Sequence, residues 1–319
     1  MSLPALFKNL RLPVIAAPMF LVSGERLVVE CCKAGVVGTF PALNLRTTEA
    51  FENQIISIKE TLAKFEKETG HAPAPYGVNL IVHKSNPRLQ ADVMICIKHK
   101  VPLIITSLGA VAELVTQIHS YGGLVFHDVT NLKHAQKAAG AGVDGLIAVC
   151  TGAGGHAGQM NPFALVGQIR KYFDKTLILA GTLSRGADVL AAQAMGADLA
   201  YMGTRFIATN ESDAQPEYKQ MIIGAEAEDI LYTPAVSGIP ANFMRASLEK
   251  AGIDLGKIAG GTLGEKLNLG DEAKAWKNIW SAGQGVSNII DTLATAALVD
   301  RLESEYKAAQ KQLKVTSNV

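Results

Sequence analysis

One unit recurs along the first two thirds of the chain: a short apolar run, a stretch with helical spacing, then the next apolar run. The apolar runs fall at residues 13–17, 36–40, 76–82, 102–106, 123–127, 145–149, 176–180 and 197–202. Between them the spacing predicts helices over 24–33, 47–69, 87–99, 111–121, from Asn131 to near Gly142, from Asn161 or Pro162 onward, and over 185–195. Gly70 is a natural terminator for the long second helix. Ala141-Gly142-Val143-Asp144-Gly145 and Met195-Gly196-Ala197-Asp198-Leu199 echo each other, each a glycine helix stop followed by a buried strand. The runs are apolar throughout rather than alternating, as strands covered on both faces are. About eight such strands, each followed by a helix or turn, is the number that closes a (β/α)₈ (TIM) barrel of the α/β class.

The repeat stops after Phe206. Residues 210–275 mix helix and turn character with little strand signal, and read as a mostly helical cap inserted after the eighth strand. The barrel is expected to comprise residues 1–209 and 276–319, closed by a long helix from about 286 to 313 with a charged tail.

Composition narrows the function classes. A formal charge of +1 over 319 residues gives no electrostatic reason to expect nucleic acid or an anionic membrane as partner. No apolar run approaches the ~20 residues of a membrane span. The start of the chain lacks the long apolar core of a signal peptide. Cys31, Cys32, Cys96 and Cys150 show no zinc or redox spacing, which fits reduced core thiols in a cytoplasmic protein. No histidine–carboxylate cluster suggests a metal site. Exposed barrel helices often pair, so a homodimer is an open arrangement, although no seam stands out.

In a barrel of this kind, chemistry sits at the C-terminal ends of the strands. That rule selects Pro18-Met19, residues 79–84, Thr106-Ser107, His127-Asp128, residues 152–158, 181–184 and Gly203-Thr204. The loops after strands seven and eight often bind phosphate. There Gly181 and Gly203 allow close approach, and Thr182, Ser184 and Thr204 offer hydroxyls. A single such turn would read as an ordinary connection; two at the expected pair of positions favour a phosphate site. In Gly152-Ala153-Gly154-Gly155-His156-Ala157-Gly158 the glycines suit a tight, ligand-facing loop. Its lone ionisable side chain is His156, a candidate acid or base. His83 and His127 are strand-end candidates of lower weight. Gly152-x-Gly154 with Asp174 some 20 residues on faintly imitates a dinucleotide fingerprint. Its last glycine is misplaced, and about five strands precede it rather than one, so that reading is rejected.

Ala17-Pro18-Met19, Gly77-Val78-Asn79-Leu80, the 153–158 loop, Met195-Gly196-Ala197-Asp198, Met202-Gly203-Thr204-Arg205-Phe206 and the late Trp280-Ser281-Ala282-Gly283-Gln284-Gly285 together resemble the nitronate monooxygenases. The resemblance spans roughly residues 11–290. It implies an FMN-containing barrel that oxidises alkyl nitronates with O₂ to a carbonyl compound and nitrite. It implies that Ala17, Pro18 and Met19 lie along the isoalloxazine ring, that Asn79 hydrogen-bonds it, and that Gly154 and Gly155 line its far side. Gly181, Thr182, Gly203 and Thr204 would hold the phosphate; Met202 joins the cofactor-binding set, and Gln284 would approach from the C-terminal segment. His156 would be the catalytic base, needed most for neutral nitroalkanes.

The chain departs from its relatives at several points. Val149 and Gly152 stand where many have Gln and Glu, and Thr182 replaces the usual second glycine after strand seven. Asp128 stands where many have Lys, a charge Lys84 could replace. A divergent subgroup leaves two other functions open: an NAD(P)H-dependent flavin reductase acting on a quinone or enoyl thioester, and a non-catalytic FMN-binding protein.

Overall fold

The computed structural model describes residues 3–83, 85–109, 112–236, 238–256 and 279–316. Eight parallel strands close into a barrel in the order of the chain: β1 (Val14–Ala16), β2 (Val37–Pro41), β3 (Tyr76–Ile81), β4 (Leu103–Ser107), β5 (Leu124–Val129), β6 (Gly145–Val149), β8 (Thr176–Ala180) and β9 (Leu199–Met202), with β9 returning to β1. Strand β7 is a two-residue piece, Gly155–His156, in the glycine loop, and belongs to a different sheet.

The helices follow from local chemistry. Helix α1 (Glu25–Lys33) buries Leu27, Val28, Cys31 and Cys32 on one face. In α2 (Thr48–Thr69) the Thr47 side chain accepts the Ala50 N–H, and Gly70 ends the helix at φ +72. Helices α3 (Leu89–Lys98), α4 (Ala112–His119), α5 (Leu132–Gly140), α6 (Pro162–Arg170) and α7 (Gly186–Ala194) complete the outer ring. Asn131 caps α5, and Asn161 caps α6 with Pro162 at its first turn.

The strands separate two cores. Val78, Leu80, Ile104, Val125, Val129, Leu146 and Leu177 pack against the helices. Ile15, Leu103, Ile105, Phe126, Ile147 and Ile178 fill the barrel interior, plugged from below by Phe7. All four cysteines are free and buried.

The structure revises the reading after β9 in two places. The described part of the expected cap contains α9 (Pro216–Ile223) and α10 (Arg245–Lys250), after a four-residue turn of helix, α8 (Thr204–Ile207). It also contains strands β10 (Ile230–Thr233) and β11 (Ala241–Met244), which form an antiparallel three-stranded sheet with β7. The closing helix runs over Thr295–Thr316 rather than from 286. The segment before it is committed elsewhere: Leu293 accepts the Asn210 N–H at 2.8 Å, and Asp291 holds the Arg205 and Arg301 guanidiniums. Residues 257–275 of the cap reading, 276–278 of the barrel reading, and Lys84 lie outside the described residues.

Candidate active site

The C-terminal strand ends open into one cavity of about 1530 Å³, larger than the ~300–1,000 Å³ of an ordinary small-molecule pocket. Ala17, Pro18, Met19, Asn79, Gly154, Gly155, His156, Gly181, Thr182, Gly203 and Thr204 all line it. Two expected residues do not. Met202 is fully buried among Val14, Ala16, Phe206 and Leu298, because alternation along β9 turns it outward and turns Tyr201 into the barrel. Only the Met202 carbonyl serves the site, accepting the Ala17 N–H at 2.8 Å. The Gln284 side chain packs behind Gly152, whose carbonyl accepts the Gln284 N–H at 2.9 Å.

One wall is formed by the ends of β8 and β9, which are hydrogen-bonded neighbours. Gly181 turns the chain at φ +133, and Thr182 follows at φ +60, a conformation that is strained for a β-branched residue. Among the described residues the backbone N–H groups of Thr182, Leu183, Gly203 and Thr204 have no hydrogen-bond partner. The Thr204 hydroxyl accepts the Gly283 N–H at 2.9 Å and keeps its own proton free to donate. A cluster of unused donors at the mouth of a cavity is suited to a phosphate.

The glycine loop crosses the cavity and is clamped from both sides. Strand β11 pairs Ala241 with His156 and Asn242 with Gly155. The buried Asn242 donates from Nδ2 to the Ala153 carbonyl at 2.6 Å, and the Tyr232 hydroxyl donates to the Ala157 carbonyl at 3.1 Å. On the other side a Cβ on Gly154 would lie 2.9 Å from Ala282 C and Gly283 N. Gly154 is therefore dictated by backbone packing, whereas Gly155, at φ +69 with nothing near its missing Cβ, is dictated by conformation. This clamp was not visible in the sequence: β7 has two residues, and its partner lies some 85 positions on. The result is that His156 stands on an edge strand, exposed, on the cavity wall.

Opposite, three neighbouring strands each end in an inward polar residue. Asn79 of β3 donates from Nδ2 to the Ile105 carbonyl (3.2 Å) and to Ser107 Oγ of β4 (2.8 Å). Ser107 donates in turn to Asp128 Oδ2 of β5 at 2.5 Å. A carbonyl can only accept, so the amide orientation of Asn79 is fixed and its Oδ1 is the atom left for a ligand. Burial pushes the Asp128 carboxyl up to about 6, against a lowering by the Ser107 hydrogen bond. His127 points out of the barrel interior toward α5, where it also lines the cavity; Thr106 Oγ1 lies 2.7 Å from its Nδ1, and burial brings its pKa down to about 4. The signal for this chain is the period-two alternation Gly77-x-Asn79, Ile105-x-Ser107, Phe126-x-Asp128. Among the described residues no group of three or more His, Cys, Asp or Glu is arranged to hold a metal ion, and no helix is long and apolar enough to cross a membrane.

Comparison with known proteins gives the same frame. A nitronate monooxygenase of Paraburkholderia phytofirmans is 28% identical, covering 96% of this chain and 95% of its own. A hydroxy-methyl-oxo-octahydroindene-carboxyl-CoA dehydrogenase of Rhodococcus jostii is 28% identical over 77% of this chain and 67% of its own. Among solved structures, FabK from Thermotoga maritima superposes with a TM-score of 0.79 at 24% identity, covering 97% of both chains. Nitroalkane oxidase from Streptomyces ansochromogenes superposes at 0.76 and 23%, covering 97% of this chain and all of the other. These two likenesses establish the barrel fold. The nitronate monooxygenase family profile matches residues 4–305, and the chain therefore belongs to the nitronate monooxygenase family, as a flavin-dependent oxidoreductase.

Proposed function

We propose that the protein binds FMN in this cavity and oxidises alkyl nitronates with O₂ to a carbonyl compound and nitrite. The observation that carries the reading is the pairing, in one cavity, of the unused N–H cluster at β8 and β9 with His156 on the glycine loop. The residues fit the cofactor. The N–H groups of Thr182, Leu183, Gly203 and Thr204, with the Thr204 hydroxyl, would hold the phosphate. Ala17 to Met19 and the Gly154-Gly155 turn offer apolar and backbone surface for a flat ring, and Asn79 Oδ1 offers it an acceptor. When bound, the flavin supplies the electron transfer between substrate and oxygen.

The chain's own groups do the rest. A nitronate is already an anion and needs no proton removed. A neutral nitroalkane does, and His156 Nδ1 or Nε2 would take the proton next to the nitro group. The clamp by Asn242, Tyr232 and Ala282-Gly283 holds the loop that carries this imidazole. Met19, Ile81, Met160 and Trp280 give the cavity an apolar lining beside these polar groups.

Oxygen uptake and nitrite release by FMN-loaded protein given a small alkyl nitronate test the reading. With His156→Asn, turnover of the neutral nitroalkane is expected to fall about 10²–10⁴-fold while nitronate turnover is retained. No uptake with flavin bound would sink the assignment for simple nitronates. A second reading, an NAD(P)H-dependent reductase of a larger substrate, is favoured by the cavity volume of about 1530 Å³, above the ~300–1,000 Å³ of an ordinary small-molecule pocket. Rapid anaerobic bleaching of the flavin by NADH or NADPH would support it.

A further inference from the structure

Asp128 stands apart from the machinery described so far. Its Oδ2 accepts from Ser107, but Oδ1 is shielded from solvent and has no partner among the described residues. No Lys or Arg of the described residues pairs with it. The groups facing this corner can be named strand by strand. Ser107 and Asn79 come from β4 and β3, and Tyr201 from β9. The paired residue on β6 is Ile147, which does not titrate. His127 lies on the same strand, and with His134 and Lys137 of α5 it also lines the cavity. Tyr201 is pushed up by burial and by Asp128, and so stays neutral; His127 is brought down by burial, and is neutral too above about pH 4. Beside Asn79, Asp128 is the carboxyl whose Oδ1 is buried and unpartnered among the described residues. The same corner holds Asn79, whose Oδ1 faces the ligand space.

A carboxylate with an unpartnered oxygen in a low-dielectric wall responds strongly to a second negative charge, because repulsion between two buried anions is relieved when one takes a proton. Resting on the FMN reading above, we propose that Asp128 is a proton-holding residue: when the bound flavin gains negative charge on reduction, Asp128 takes up a proton on Oδ1, so the net charge of the cavity is unchanged. The balance is explicit. In a two-electron reduction by an external donor such as dithionite, the flavin would take up two electrons and one proton and carry one negative charge. The carboxylate accepts the second proton from solvent. On reoxidation, O₂ would take the two electrons together with the flavin's proton and the Oδ1 proton and leave as H₂O₂. The hydrogen bond from Ser107 to Oδ2 persists in both states and aims Oδ1.

Potentiometric titration of the FMN-loaded protein tests this without turnover. FMN binding is measured first, by quenching of flavin fluorescence. Between about pH 7 and 8, the wild-type midpoint potential is expected to fall with pH about twice as steeply as that of Asp128→Asn, because only the wild type takes up the second proton. Ser107→Ala is the companion variant, also usable if Asp128→Asn does not fold. It removes the bond that lowers the carboxyl, so the pH at which the steeper slope begins moves upward. Equal slopes in wild type and Asp128→Asn, or an unshifted onset in Ser107→Ala, with flavin bound, overturn the proposal alone. Failure to bind FMN overturns the cofactor reading and this proposal with it.

Discussion

His127 and Asp128 are adjacent in sequence, face opposite sides of β5, and are shifted by burial in opposite directions. The Asp128 carboxyl rises from 3.8 to about 6 because burial disfavours its charge. Its favourable contribution to stability is fully present below about pH 4 and is lost as pH rises through about 6. The His127 imidazole falls from 6.5 to about 4, again through burial. Its contribution is present above about pH 6.5 and is lost as pH falls through about 4. The two slopes have opposite signs over nearly the same window, so the pair leaves the wild-type stability almost flat there. Asp128→Asn removes one side. The variant is expected to be more stable than wild type at pH 8 by about 2–3 kcal/mol, with the gain vanishing by about pH 4. Urea unfolding at the two pH values checks this; a pH-independent difference would show that the carboxyl is not raised.

At the scale of elements, the glycine loop is a joint between the barrel and the segment that follows it. The β11–β7 pairing, the Asn242 amide on Ala153 and the Ala282-Gly283 backbone against Gly154 hold it from two directions. Asn242→Ala is expected to cost about 1–2 kcal/mol. It should speed hydrogen exchange of residues 152–158 while leaving that of β3 and β4 unchanged. Unaltered exchange in the loop would mean that Ala282-Gly283 holds it alone. Gly154→Ala forces a methyl to 2.9 Å from backbone atoms of the neighbouring segment, and a loss of about 1–3 kcal/mol is expected in thermal unfolding. The barrel strands were legible because each signals itself locally, by an apolar run and a glycine helix stop such as Gly142 or Gly196. The strand-end rule likewise found Asn79, Ser107 and Gly181. The β10–β11 hairpin was not legible: Ile230–Thr233 and Ala241–Met244 are four residues each, and their partner is a glycine loop. No local periodicity encodes such a pairing. Met202 misled because a motif preserves neighbours in sequence, whereas alternation along a strand sends neighbours to opposite faces.

For the whole molecule, closure of the barrel is reinforced from outside by the C-terminal helix, which spans the seam between the first and last strands. Leu298, Val299 and Leu302 fill the core shared by β1, β9, α1 and α7. Arg11, just before β1, reaches Asp300 at 2.7 Å and also pairs with Glu303. Glu305 accepts the Gly186 N–H at 2.7 Å, at the start of α7. The contact with α7 is so close that a Cβ on Gly186 would lie 1.9 Å from the Leu302 carbonyl oxygen and 2.5 Å from the Tyr306 nitrogen. Those atoms are backbone and cannot swing aside, so Gly186→Val must push the helix off. The expected consequence is a loss on the order of 3 kcal/mol or more, since the displaced helix exposes three buried aliphatic side chains worth about 1.5–3 kcal/mol each. Removing the Arg11 ion pairs alone should cost far less, about 1 kcal/mol, because they are partly exposed. Comparing Gly186→Val with Arg11→Ala in denaturant separates the two contributions. If Arg11→Ala proved the more damaging, charge rather than packing would hold the seam, and the apolar core of the C-terminal helix would not be what keeps the strand ends, and the cavity they form, in register.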